Sequence, residues 1–93
     1  MLCESDFTDF HICDQIIHEL NEAILRSGNV NDPRVLHAIK IAILFMPFPS
    51  MQKMLLETFV ALGWSPFEGR FYLDVEPIVI AHHVNFIYAR LPA

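Results

Sequence analysis

No apolar stretch in this chain is long enough to cross a membrane, although 54% of its 93 residues are hydrophobic and its mean hydropathy is +0.38. The longest uncharged runs are Ile41 to Gln52 and Pro77 to Ala89. Prolines interrupt the first, and His82, His83 and Asn85 interrupt the second. Both fall short of the ~20 apolar residues that a spanning helix needs. The first ten residues, MLCESDFTDF, are acidic, unlike a signal or transit peptide. A soluble, cytoplasmic protein with no membrane partner is expected.

Cysteine is scarce. Cys3 and Cys13 are the two present, too few for a disulfide framework where no secretory signal accompanies them. Free thiols are the expectation, and a Cys3–Cys13 bridge is the alternative. Glycine is scarcer still for its roles. Gly28, Gly63 and Gly69 stand far apart, so there is no glycine-rich phosphate loop.

Positive charge is also short: six Lys and Arg against eleven Asp and Glu, a net charge of −5. Its placement is uneven. Residues 1–32 set seven acids, Glu4 to Asp32, against Arg26, whereas residues 33–70 carry Arg34, Lys40, Lys53 and Arg70 against Glu57 and Glu68. Phosphate contacts dominate affinity for nucleic acid. A winged helix-turn-helix would make the third helix the reader, and Lys53 is that helix's lone cation. Direct nucleic-acid binding is therefore not expected.

What is present is helical periodicity. Thr8 or Asp9 can cap a first helix. From there Cys13, Ile16, Ile17, Leu20, Ala23 and Ile24 recur at three-four spacing, with His11, Asp14, Gln15, His18, Glu19 and Glu22 opposite. Asp32-Pro33 starts a second helix, because a proline in the first turn loses no hydrogen bond. Val35, Leu36, Ile39, Ala42, Ile43 and Met46 form its stripe. Ala38, Ile41, Leu44 and Phe45 make its second half apolar nearly all round, which suits a central helix. Pro47-Phe48-Pro49 ends it. Ser50 is expected to cap a third helix with Met51, Met54, Leu55, Phe59 and Leu62 on one face.

Residues 64–72, WSPFEGRFY, follow as a loop or short extended segment. The last segment is rich in β-branched residues, as a strand would like. Helical spacing sorts it better, gathering Ile80, Ala81, Val84, Ile87, Tyr88 and Leu91 against His82, His83, Asn85 and Arg90. Asp74 can cap it, and Pro77 fits its first turn. The expected fold is all-α: a compact four-helix bundle-like single domain, with helices at about 9–27, 33–46, 51–62 and 75–91.

Candidate chemistry is sparse. His11, Asp14 and His18 lie at i, i+3 and i+7, with Glu22 one turn on, and could hold a divalent ion. The same residues form the ordinary solvated face of helix 1. His82 and His83 point ~100° apart on a helix and cannot readily chelate one ion together. Cys13 belongs to the apolar stripe, where a thiol is usually inert. No metal, no cofactor and no catalytic activity are expected.

The aromatic segment carries the binding expectation. A chain this short buries only ~60–65% of its unfolded surface, so a hydrophobic excess leaves an apolar patch outside, and such patches mark partner sites. Trp64, Phe67, Phe71 and Tyr72, together with His82 and Phe86 of the last helix, are the expected protein-binding residues. Closing one end of the core is the other role open to the rings, Trp64 above all. The expected function is a small acidic adaptor, regulator or inhibitor, of the accessory kind that phages and mobile elements carry. It is expected to form a homo-oligomer and to occupy a protein partner, with acidic helix 1 steering toward a basic surface. A small-molecule- or metal-binding bundle using His11, Asp14 and His18 is the alternative.

Overall fold

Three of the six prolines open helices, and the chain's order follows from them. The computed structural model describes residues 4–90. Helix α1 spans Glu4–Ser27, α2 Pro33–Phe45, α3 Pro49–Ala61 and α4 Pro77–Ala89. Pro33, Pro49 and Pro77 each sit at the first helical position, where a missing N–H is harmless. Between α3 and α4, β1 (Trp64–Ser65) and β2 (Arg70–Phe71) pair antiparallel, with Trp64 opposite Phe71 and Ser65 opposite Arg70. The fold is an all-α bundle carrying this one short hairpin.

Helix α1 packs on α2 and α4, and α3 packs on the same two helices, which closes the ring. Apolar stripes meet inside it. Cys13, Leu20, Val35, Ile39, Leu55, Phe59, Ile80 and Val84 have 1% or less of their surface exposed. Burying each large apolar side chain contributes about 1.5–3 kcal/mol. The α1 stripe expected from spacing is the buried one, and so is the helical face of α4. His82, His83, Asn85 and Arg90 lie outside. Leu91 and Cys3 lie outside the described residues.

Cap positions differ from expectation. Asp32 caps α2 as expected, accepting the Arg34 N–H at 2.8 Å. Thr8 and Asp9 instead lie inside α1, because residues 4–8 contain no glycine or proline to stop the helix earlier. Ser50 falls in the first turn of α3, whose cap position is Phe48 with no side-chain hydrogen bond. Glu76, not Asp74, precedes α4, because Pro77 opens it.

The second half of α2 is not central. Leu44 and Phe45 are 59% and 60% exposed, because α2 packs on α1 and α3 and, among the described residues, no other element covers this outer face. Met54 of the expected α3 stripe is likewise exposed.

Gly63 ends α3 with φ of 105°, and a Cβ there would come within 2.6 Å of the Leu73 Cβ. Only glycine lets β2's exit pass this close, and Tyr72 N–H donates to the Gly63 carbonyl at 2.9 Å. The hairpin's other edge is held from the α1–α2 turn. The Asn31 side chain accepts from Phe71 N–H at 2.8 Å and donates to the Phe71 carbonyl at 3.1 Å. One amide thus stands in for a neighbouring strand and satisfies both backbone groups of Phe71.

Candidate binding surface at helix α2 and the hairpin

The hairpin sorts its four aromatics by side. Trp64 and Phe71, paired across the ladder, point inward at 7% and 2% exposure. Trp64 packs edge-on against Phe59, ring centroids 6.3 Å apart. Both rings therefore close one end of the core; Phe71 leaves the expected binding face, and what remains exposed of Trp64 lines the groove described next. Phe67, in the turn, is 100% exposed, and Tyr72 is 64% exposed. The turn holds its shape through Gly69 N–H to the Ser65 carbonyl at 2.7 Å and Glu68 N–H to Ser65 Oγ at 3.2 Å.

Beneath Phe67 runs an open groove of ≈ 670 Å³ between α2, α3 and the hairpin. Leu36, Ile43, Leu56 and Trp64 give it apolar walls, with His37 and Lys40 beside them on α2. The Trp64 indole N–H is buried and finds no acceptor among the described residues. His82 and Phe86 do not line this groove. They stand on the outer face of α4, where Arg90 lies over the Phe86 ring at 4.7 Å. The six expected residues therefore divide among core, hairpin tip and α4.

Charge distinguishes this face. Helix α2 holds no acidic residue, and its exposed polar groups are Arg34, His37 and Lys40. Among the described residues the ion pairs join Glu22 to Arg26 and Glu68 to Arg70, and neither Arg34 nor Lys40 has an acid within 4.0 Å. Of the charged residues, Lys40 and Glu68 line the groove, one of each sign, while Arg34 stands on the side of α2 shared with Glu19.

The histidine and carboxylate face of α1 is engaged differently. Asp14 accepts a hydrogen bond from the Tyr88 hydroxyl across the α1–α4 seam. That bond first, and then burial and the carboxylate's charge, push the Tyr88 phenol up to about 12. His18 leans toward Glu22 at 3.6 Å. Among the described residues no three His, Cys, Asp or Glu side chains converge to hold a metal ion. His82 and His83 meet edge to face, 6.1 Å between centroids, both exposed.

Cys13 is fully buried and unbridged, its thiol 3.7 Å from the Met51 sulfur. Burial, and secondarily the charge of Asp14, raise its pKa, which lowers the thiolate fraction that would react.

Sequence reasoning missed three features. The Asn31 clamp was hidden because Asn31-Asp32-Pro33 already reads as a helix start. The cross-seam pairs Asp14–Tyr88 and Asn21–Asn85 join residues 74 and 64 positions apart. The exposure of Leu44 and Phe45 depends on what fails to cover α2. No protein-family model, no curated protein and no solved structure matches this chain.

Proposed function

We propose that this chain is a small protein-binding module, an adaptor, regulator or inhibitor without catalytic activity of its own. It works in the cytoplasm by covering part of a partner's surface, and it self-associates. One observation carries the reading: Phe67 is wholly exposed at a braced hairpin tip, above an apolar groove. A Phe held in water forfeits the ~1.5–3 kcal/mol that burial would return, and a rigid aromatic at the rim of an apolar hollow is how interfaces are anchored. Tyr72, His82 and Phe86 add exposed surface on the hairpin and α4. The acidic face of α1 favours encounter with a basic surface, through long-range steering rather than contact energy.

Two further observations support a binding role over a chemical one. Asp14 is committed to Tyr88, and the Cys13 thiol is sealed in the core. No helix of the described residues is long and apolar enough to cross a membrane.

The test is a photo-cross-linking phenylalanine analogue at position 67, introduced in the native host. Illumination should yield discrete protein adducts that are absent when the analogue replaces Gln15 on the exposed face of α1. No adduct at 67, or the same adducts from both positions, refutes the reading.

A further inference from the structure

Phe67 and the groove beneath it form one patch that holds both a knob and a hollow. A two-fold interface needs this, because the same patch meets itself and every contact is made twice. From that self-complementarity we infer that the occupant of the α2–hairpin groove is a second copy of this chain. Phe67 of each copy enters the groove of the other. The inference rests on the protein-binding reading above and specifies its self-association.

The charges agree with the reciprocal arrangement. Glu68 follows Phe67 at the rim of the hollow and Lys40 lines it too, so the patch carries one charge of each sign, and among the described residues Lys40 has no acid within 4.0 Å. Inserting the tip of one copy carries its Glu68 toward the partner copy's groove and the Lys40 there. Glu68 now faces Arg70 at 3.4 Å, with both side chains more than 60% exposed. An exposed pair of this kind contributes little, so Glu68 can exchange it for Lys40. The floor gains as well, since Leu36, Ile43 and Leu56 receive an apolar ring in place of water. Leu44, which lines the same groove and is 59% exposed, extends the patch along α2.

The fold itself does not depend on the residues that test this. Phe67 is wholly exposed, and Lys40 and Glu68 are exposed. Trp64, the single tryptophan, lines the groove and reports its occupancy by fluorescence.

The experiment is sedimentation and Trp64 emission over a concentration series, on the full chain. The wild type should dimerise, and its Trp64 emission should change with the same midpoint. Phe67→Ala should weaken the dimer at least 100-fold while helicity holds, as does the melting temperature at concentrations too low for dimers. Lys40→Glu and Glu68→Lys should each weaken it about tenfold, because each places like charges together at both contacts. The double variant Lys40→Glu/Glu68→Lys should recover the loss, as should an equimolar mixture of the two single variants. A wild type that stays monomeric at several hundred micromolar overturns the inference. So does a dimer indifferent to Phe67→Ala, or charge reversals that do not rescue each other. A monomeric wild type also withdraws the self-association proposed above, but cross-linking from position 67 to a different protein would still uphold the binding role, so that role and this inference fail separately.

Discussion

Along the seam between α1 and α4, Asn21 and Asn85 exchange amide hydrogen bonds at 2.9 and 3.2 Å, and Tyr88 donates to Asp14. Over α2 and the hairpin, Lys40 meets no acid within 4.0 Å among the described residues and the ring of Phe67 stands in water. Both regions have apolar floors and polar rims. At the seam, rim groups find partners within the chain once the apolar faces have docked, so the contact is complete. At the α2–hairpin face Glu68 holds only the exposed Arg70, Lys40 has no acid within 4.0 Å among the described residues, and the apolar floor is uncovered. The difference separates packing that serves the fold from surface that is still available.

The seam breaks most severely at Val84, which is fully buried beneath it. Val84→Asp places an unpaired charge in the core and should cost several kcal/mol, a large share of the ~5–15 kcal/mol that holds a domain together. Loss of cooperative unfolding by circular dichroism is the expected result. His82→Ala, two residues away but exposed, should change stability by less than about 0.5 kcal/mol. A similar loss from both would mean that α4 does not present the face described.

The hairpin offers the same contrast within six residues of chain. Phe71 is 2% exposed and Phe67 100%. Phe71→Ala should cost about 3–5 kcal/mol, as large-to-small changes in cores do. Phe67→Ala should leave the monomer within about 0.5 kcal/mol of the wild type and remove association instead. Chemical denaturation of both variants at a concentration too low for dimers checks the pair. Comparable destabilisation by Phe67→Ala would assign that ring to the fold and close the available surface.

How far the sequence made this legible depended on contrast within each helix. In α1 the apolar and polar residues separate cleanly, so Cys13, Ile16, Ile17, Leu20 and Ile24 could be assigned to the core, and all are buried. In α2 the apolar residues run nearly all round. Periodicity then marks Val35 and Ile39 but gives no ground for turning Leu44 and Phe45 outward, because exposure depends on which neighbours are missing. The hairpin aromatics were visible as a cluster. Their division was not, since it follows from the pairing of Trp64 with Phe71 and from the Asn31 clamp 40 residues earlier in the chain. The α1–α4 polar pairs were equally out of reach. Polar residues on two helix faces do not say which of them meet.

The smallest expected effect lies in the Tyr88–Asp14 pair, and it sharpens the contrast most finely, because it asks whether the seam's rim is closed in solution. At neutral pH, Tyr88→Phe should cost no more than about 1 kcal/mol, since water competes for a hydrogen bond at the surface. The informative range is alkaline. The folded phenol is raised from its ordinary 10 to about 12, first by the bond it donates to Asp14. A raised folded value means that the native state holds the proton more tightly than the unfolded state does. The resulting stability is fully present below pH 10 and is lost as pH rises through 12. Wild type and Tyr88→Phe should therefore differ by a constant amount from pH 7 to about 9, and wild type should lose stability relative to Tyr88→Phe as pH rises from 10 to 12. Phenolate absorbance of the native protein should show a component near 12 that Tyr88→Phe removes. If that component instead titrates near 10, the bond to Asp14 is not held in solution, and the α1–α4 rim is as open as the one over α2.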